Sequence, residues 1–203
     1  TTAVPMSAGC HICKREPSFP IAVARDPAFN FVYEANIRYL HHLGKVTYFS
    51  PLADASLPEA GFVYLPGGYP ELYLAALSAN KQMLQSIRRY VENGGKLLAE
   101  CGGMMYLCDE IRDKNGDVYP MAGVLHQSAT MENMKLRLGY RTLLCNGTRL
   151  KGHEFHYSRL VEQQNSLPSC AVAYTAKGVE TDTPLYHYKN VWAGYTHLYW
   201  ADP

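Results

Sequence analysis

The sequence has almost no excess of charge. Nineteen Lys and Arg against eighteen Asp and Glu leave a formal +1 at pH 7 over 203 residues. A balance this even gives no electrostatic reason to expect nucleic acid or an anionic membrane as partner. No apolar run approaches the roughly 18 residues of a membrane-spanning helix, which predicts a soluble chain. An initiating Met and a signal-like segment are both absent at Thr1, so the chain reads as cut from something longer. Cysteine is sparse: Cys10, Cys13, Cys101, Cys108, Cys145 and Cys170 make no dense framework, which fits a reducing cytoplasm. No internal repeat, low-complexity tract or G-x-x-x-x-G-K-[ST] phosphate loop is present. What remains is ordinary globular composition, 47% hydrophobic and 18% charged, enough for one core of a domain or slightly more.

Metal-ligand spacing is equally scarce. Cys10-His11-Ile12-Cys13 is half of a zinc site without a second half, set in the aperiodic, Pro-containing segment 1–19, which reads as a linker. H-x-E-x-H does not occur, and His153 and His156 on a probable strand make a poor zinc pair, so no metal is expected in this chain.

From Pro20 onward strand and helix signals alternate. Ile21–Ala24, Val46–Phe49, Phe62–Leu65 and Lys96–Glu100 read as short buried strands. Val32, Ala35, Tyr39, Leu40 and Leu43 recur at helical spacing before Gly44, which is placed to act as a left-handed C-terminal residue. Asn80 is placed to cap a helix carrying Met83, Leu84, Ile87, Tyr90 and Val91, stopped by Gly94-Gly95. This order predicts a mostly parallel sheet with helices on both faces. The second half reads as antiparallel strands that extend or flank it. Lys114-Asn115-Gly116-Asp117 is a turn, and Asn146-Gly147 joins Lys135–Cys145 to Thr148–Leu160; Ala171–Thr175, Pro184–Tyr188 and Val191–Tyr195 continue the pattern.

The strongest chemical signal is Leu97-Leu98-Ala99-Glu100-Cys101-Gly102-Gly103-Met104-Met105, an apolar strand running into Cys-Gly-Gly and a short helix. Such an elbow lifts the side chain above the sheet, and the glycines remove Cβ atoms that would clash. The helix N-terminus should lower the Cys101 pKa and favour the thiolate. A second glycine loop, Leu65-Pro66-Gly67-Gly68-Tyr69-Pro70-Glu71, follows the third strand at the carboxyl edge, where ligands bind. Its N–H groups, with that of Gly102, suit a developing oxyanion. A thiol nucleophile needs a base, and His153, His156 and His197 are all open on residue pattern alone.

Ala99-Glu100-Cys101-Gly102-Gly103-Met104-Met105-Tyr106-Leu107 resembles the elbow of class I (triad) glutamine amidotransferases. Ala24-Arg25-Asp26, Phe29-Asn30-Phe31, Gly67-Gly68-Tyr69-Pro70-Glu71, Leu138-Gly139-Tyr140-Arg141, Gly152-His153-Glu154-Phe155-His156-Tyr157-Ser158 and Tyr195-Thr196-His197 are together similar to the glutaminase half of the cobyrinic acid a,c-diamide synthases. The resemblance covers about Pro20 to Trp200. It implies a flavodoxin-like α/β fold and a glutaminase domain over 20–203, preceded by a linker (1–19) from an N-terminal synthetase domain. By the same resemblance Cys101 is the nucleophile and His197 the base. Gly67, Gly68, Tyr69, Gly102 and Arg141 then serve the oxyanion and the substrate. L-Glutamine is the implied substrate and a corrinoid the acceptor at the partner domain, where ATP and Mg2+ would act; this chain carries no cofactor of its own. Many class I members place a Glu two residues after the catalytic His. Here that position is Tyr199, leaving Glu154 and Glu100 as candidate third members. A related cobyric acid or nickel-tetrapyrrole amidating synthase, a cysteine peptidase on the same scaffold, and a degenerate docking module are the competing readings.

Overall fold

The computed structural model describes residues 19–161 and 167–200. All but Phe19 of the expected linker, including Cys10-His11-Ile12-Cys13, lies outside the described residues. The first half runs β1 (Pro20–Ala24), α1 (Glu34–Leu43), β2 (Lys45–Phe49), β3 (Phe62–Leu65), α2 (Leu74–Ala79), α3 (Lys81–Glu92), β4 (Lys96–Glu100) and α4 (Gly102–Leu107). The second half contributes β5 (Glu110–Arg112), β6 (Val118–Pro120), β7 (Ser128–Thr130), β8 (Arg137–Cys145), β9 (Thr148–His156), β10 (Arg159–Leu160), β11 (Val172–Thr175), β12 (Glu180–Thr181), β13 (Leu185–Tyr188), β14 (Val191–Gly194) and β15 (His197–Leu198).

The central sheet has the order β13-β14-β4-β3-β1-β2. All its pairings are parallel except β13 with β14. Alternation along the strands sorts the two faces. Ala22, Ala24, Val63, Leu65, Leu97 and Ala99 pack with Met83, Ile87 and Val91 of α3 and Met104 and Met105 of α4. Ile21, Val23 and Tyr64 turn the other way onto Ile37 and Leu40 of α1. Helices therefore cover one face, but α1 covers only part of the other. Beside it Leu98 and Trp192 pack on Leu143, Cys145, Ala173 and Leu198, so the antiparallel sheet β12-β11-β8-β9-β15 completes that layer. A third sheet, β10-β7-β5-β6, packs on the same core through Ile111 of β5 and Ala129 of β7, with Tyr119 and Leu160 against them.

Local signals place the elements where a backbone requirement is sharp. Asn80 accepts the Met83 N–H at the start of α3. Asn146 and Gly147 take φ of 48° and 79°, the pair of positive values a two-residue hairpin needs. Three expectations need correction. The buried face of α1 is Asn36, Ile37 and Leu40, whereas Tyr39 and Leu43 are exposed. Gly44 is extended, with φ −173°, and is small because a Cβ there would lie 2.1 Å from the Phe19 carbonyl oxygen. The strand Val191–Gly194 is not antiparallel to the core: β14 joins the central sheet parallel to β4. This pairing delivers the Gly194 carbonyl to the Cys101 N–H at 2.7 Å.

Candidate active site

Cys101 follows the last residue of β4 at the carboxyl edge and takes φ 48° and ψ −108° before α4 begins. A β-carbon disfavours this backbone, and the cost persists because the surroundings fix it. The Gly194 carbonyl takes the Cys101 N–H, and the Met105 N–H returns to the Cys101 carbonyl. The glycines after it are forced by proximity. A Cβ on Gly102 would meet Pro70 Cδ at 2.7 Å, and one on Gly103 would meet the Leu65 carbonyl oxygen at 2.1 Å. The elbow and the Gly67-Gly68 loop are thus seated against each other with no room for side chains.

The same loop touches His197. A Cβ on Gly67 would stand 2.1 Å from His197 Cε1, and the Gly68 nitrogen lies 3.2 Å from where a Gly102 Cβ would be. Strand β9 links the two groups from the other side. His153 pairs with His197, and two residues on, the Phe155 carbonyl oxygen lies 3.9 Å from Cys101 Sγ. Phe31 leans on the His197 ring at 4.4 Å, and His153 stacks on it at 5.1 Å between centroids. Tyr33 in turn bonds through its hydroxyl to His153 Nδ1. The structure therefore gathers Cys101, Gly67, Gly68, Gly102 and His197 within one small region, and Tyr69 lines the narrow cleft above Cys101. Among the described residues the Gly68 N–H has no backbone acceptor, while the Gly102 N–H faces the sulfur. A sulfur nucleophile, a nearby imidazole and free N–H donors are the parts acyl transfer needs.

The electrostatics depart from the sequence expectation. Burial pushes the Cys101 thiol up to about 12, the negative charge of Glu71 adds to the rise, and the Gly102 N–H opposes it only in part. The resting sulfur is a thiol, not the thiolate expected from the helix terminus; α4, only six residues long, cannot offset the desolvation. His197 is driven down to about 3, chiefly by burial and then by His153 and His156, so it is neutral at physiological pH. Its Nδ1 is buried without a hydrogen-bond partner among the described residues.

Neither candidate third acid reaches that nitrogen. Glu100 accepts from the Tyr64 hydroxyl at 2.7 Å and from the Leu198 N–H at 3.1 Å. Burial lifts its carboxyl to about 8 despite these two bonds. Glu154 is committed elsewhere: Oε2 takes Arg141 Nε at 2.6 Å and the Thr183 hydroxyl at 3.0 Å, and Oε1 meets His156 Nε2 at 2.9 Å. Desolvation would raise Glu154, but its bond from His156 and the charges of His156 and Arg141 outweigh that and hold it below the usual range. The same ion pair occupies Arg141, which does not line the cleft at Cys101. Sequence reasoning missed two participants. Glu71 was visible as the acid closing the Gly-Gly-Tyr-Pro-Glu loop and lines the cleft beside Cys101. Phe31, in the Phe-Asn-Phe run, bonds its N–H to the Gly67 carbonyl and so positions both loop and imidazole. Among the described residues no group of three or more His, Cys, Asp and Glu is arranged to hold a metal, and no helix is long and apolar enough to cross a membrane.

Residues 20–203 match the model of the CobB/CobQ-like glutamine amidotransferase domain. Similar curated proteins include the cobyrinate a,c-diamide synthase of Fusobacterium nucleatum subsp. nucleatum, 41% identical over 88% of this chain and 41% of that protein. The hydrogenobyrinate a,c-diamide synthase of Pseudomonas aeruginosa is 39% identical over 88% of this chain and 41% of that protein. The chain thus spans about two fifths of the length of these relatives. Among solved structures, PurLQS from Thermotoga maritima superposes with a TM-score of 0.61 at 17% identity, covering 89% of this chain and 87% of that one. A glutamine amidotransferase from Thermotoga maritima gives 0.58 at 14% identity, covering 88% and 75%. The fold is that of the class I glutamine amidotransferases.

Proposed function

The chain belongs to the CobB/CobQ-like glutamine amidotransferase family, and we propose that it is the glutaminase half of an a,c-diamide synthase acting on a corrin. The observation that carries this reading is the strained Cys101 elbow locked against a glycine loop that also touches His197. In this reading the Cys101 sulfur attacks the δ-carbonyl carbon of L-glutamine while His197 takes the thiol proton. The N–H groups of Gly68 and Gly102 receive the oxyanion. The C–N bond breaks as the imidazolium returns its proton to the departing ammonia. Water, deprotonated by the same imidazole, then releases glutamate from the thioester.

The length of the relatives leaves room for a second domain in the same polypeptide. We assign ATP and Mg2+ to that domain, where they would activate the a and c acetate carboxylates of the corrinoid for attack by the ammonia. A free Cys101 thiol must be kept reduced, which favours the cytoplasm as the working compartment. The thiol near 12 and the imidazole near 3 support a further point: the resting site holds both groups neutral, so the chain alone should turn over glutamine slowly. Contact with the synthetase domain would reset the Gly67-Gly68-Tyr69 loop, where a misplacement of ~1 Å costs about a hundredfold.

The test uses the full-length enzyme with ATP, Mg2+ and the tetrapyrrole. Cys101→Ala should abolish amidation from glutamine and preserve amidation from ammonia. Retained glutamine-dependent amidation in that variant rejects the assignment.

A further inference from the structure

Glu71 follows the glycine loop in a single 3-10 turn, Pro70–Leu72, and is only partly exposed. Its side chain lines the cleft that Cys101, Gly68 and Tyr69 also line. Among the described residues its carboxylate forms no ion pair, and its own backbone N–H is the donor it meets. That is unusual here. Glu154, the other acid beside the cleft, has Arg141, Thr183 and His156 around it. The remaining polar groups at the cleft near Glu71 are the Cys101 thiol, the Tyr69 and Tyr157 hydroxyls, the Ser158 hydroxyl and His156. His156 is spent on the Glu154 carboxylate and the Ser158 carbonyl, and the Ser158 hydroxyl turns to Tyr195. Among the described residues no cation answers the Glu71 charge.

A partly desolvated carboxylate without a counter-ion is costly unless something cationic arrives to meet it. The amide substrate of the proposed reaction carries a cation, its α-ammonium, a few bonds from the carbonyl carbon that the sulfur attacks. Resting on the glutaminase reading, we propose that Glu71 is the specificity anchor for this α-ammonium group, and that its charge adds to burial in holding Cys101 unreactive until the substrate cation arrives to cancel it. Burial and the loop's own N–H pull the Glu71 carboxyl in opposite directions, with burial the larger, so an arriving ammonium also relieves strain on Glu71 itself. The negative charge of Glu71 is the largest electrostatic contribution, after burial, that raises the Cys101 thiol. Neutralising it on substrate binding couples recognition to activation of the sulfur. Free thiol chemistry is suppressed in the empty site, and a carbonyl compound without an ammonium group does not lift the suppression.

The experiment compares L-glutamine with 4-carbamoylbutanoate, the same amide without the α-amino group, in the full-length synthase supplied with ATP, Mg2+ and tetrapyrrole. The wild-type enzyme should favour glutamine in kcat/KM by on the order of a hundredfold, the scale of a lost buried charge pair. Glu71→Gln should bring that ratio to within a few-fold of one by losing glutamine alone, and Glu71→Asp should restore part of it. Without any amide, alkylation of Cys101 by iodoacetamide at pH 7.5 should run several-fold faster in Glu71→Gln than in wild type. A purely structural Glu71 would not move the alkylation rate in this direction. An unchanged discrimination ratio in Glu71→Gln, or unchanged alkylation, overturns the proposal while leaving the glutaminase reading intact. Hydrolysis of neither amide by the wild-type enzyme rejects the glutaminase reading, and the proposal falls with it.

Discussion

Two neighbouring regions of this molecule bury polar groups in opposite ways. In the first, Glu154, Arg141, His156 and Thr183 satisfy one another, and a carboxylate with almost no exposure remains ionised. In the second, around the Cys101 elbow, burial outruns partnership. The thiol is raised and Glu100 is held near 8, while among the described residues His197 Nδ1 is orphaned and Glu71 has no counter-ion. Burial is common to both, so burial alone does not set charge; the partners do. The satisfied region behaves as architecture, fixing β8 against β9. The unsatisfied region stores the groups that a substrate or partner domain would complete.

The largest test of this contrast is functional. His197→Leu should reduce glutamine-dependent turnover by about a thousandfold or more in the full-length enzyme, yet leave the unfolding free energy within about 1 kcal/mol, because it removes an orphaned polar atom. Turnover assays and denaturant melts on the same preparation check both halves. Glu154→Leu should do the reverse in kind. It strands the buried Arg141 guanidinium and should destabilise by about 3–5 kcal/mol, seen as a lower denaturant midpoint. A smaller loss than that of a typical surface substitution would erase the distinction between the regions.

Glu100 gives a pH test of intermediate size. Its carboxyl stays protonated in the folded state to about 8 but ionises near 4.5 when unfolded. Between those values the folded state binds more protons, so stability falls as pH rises through the window. Glu100→Gln should flatten that decline by roughly a few kcal/mol, measured as melting curves at pH 5 and pH 8. His197 contributes the opposite slope: folded near 3 against 6.5 unfolded, it costs stability as pH falls across that interval. The smallest effect belongs to the elbow itself. Cys101→Gly should be more stable than Cys101→Ala by about 1 kcal/mol, since only the former accepts φ 48° without strain.

The sequence was legible where a local backbone demand selects particular residues. Phe62–Leu65, Lys96–Glu100, the Asn80 cap and the Asn146-Gly147 turn are set by short-range rules, and each falls where those rules put it. The Cys-Gly-Gly elbow was legible for the same reason. The α1 face was misread because its decisive member is polar. Asn36 is buried with its amide donating to the Leu198 carbonyl and accepting from the Trp200 N–H, partners no helical periodicity can supply. The direction of β14 depends on a long return of the chain, which no local pattern encodes. The thiol pKa was expected to fall because a helix terminus is visible in sequence and desolvation is not. The commitment of Arg141 and Glu154 to each other likewise depends on the β8–β9 register, in which Arg141 sits opposite Gly152 and Gly139 opposite Glu154.

The two bonds from Asn36 also bear on synthesis of the chain. They fasten a helix made early to the stretch Leu198–Trp200, translated 162 to 164 positions later, immediately beyond His197. Cys101 emerges from the ribosome well before the imidazole and before β14, whose Gly194 carbonyl holds the elbow. A polypeptide interrupted anywhere ahead of β14 carries Cys101 without the carbonyl that takes its N–H and without the His197 ring. The elbow's backbone support and the imidazole beside the glycine loop are thus the last parts of the cleft to be added to the chain.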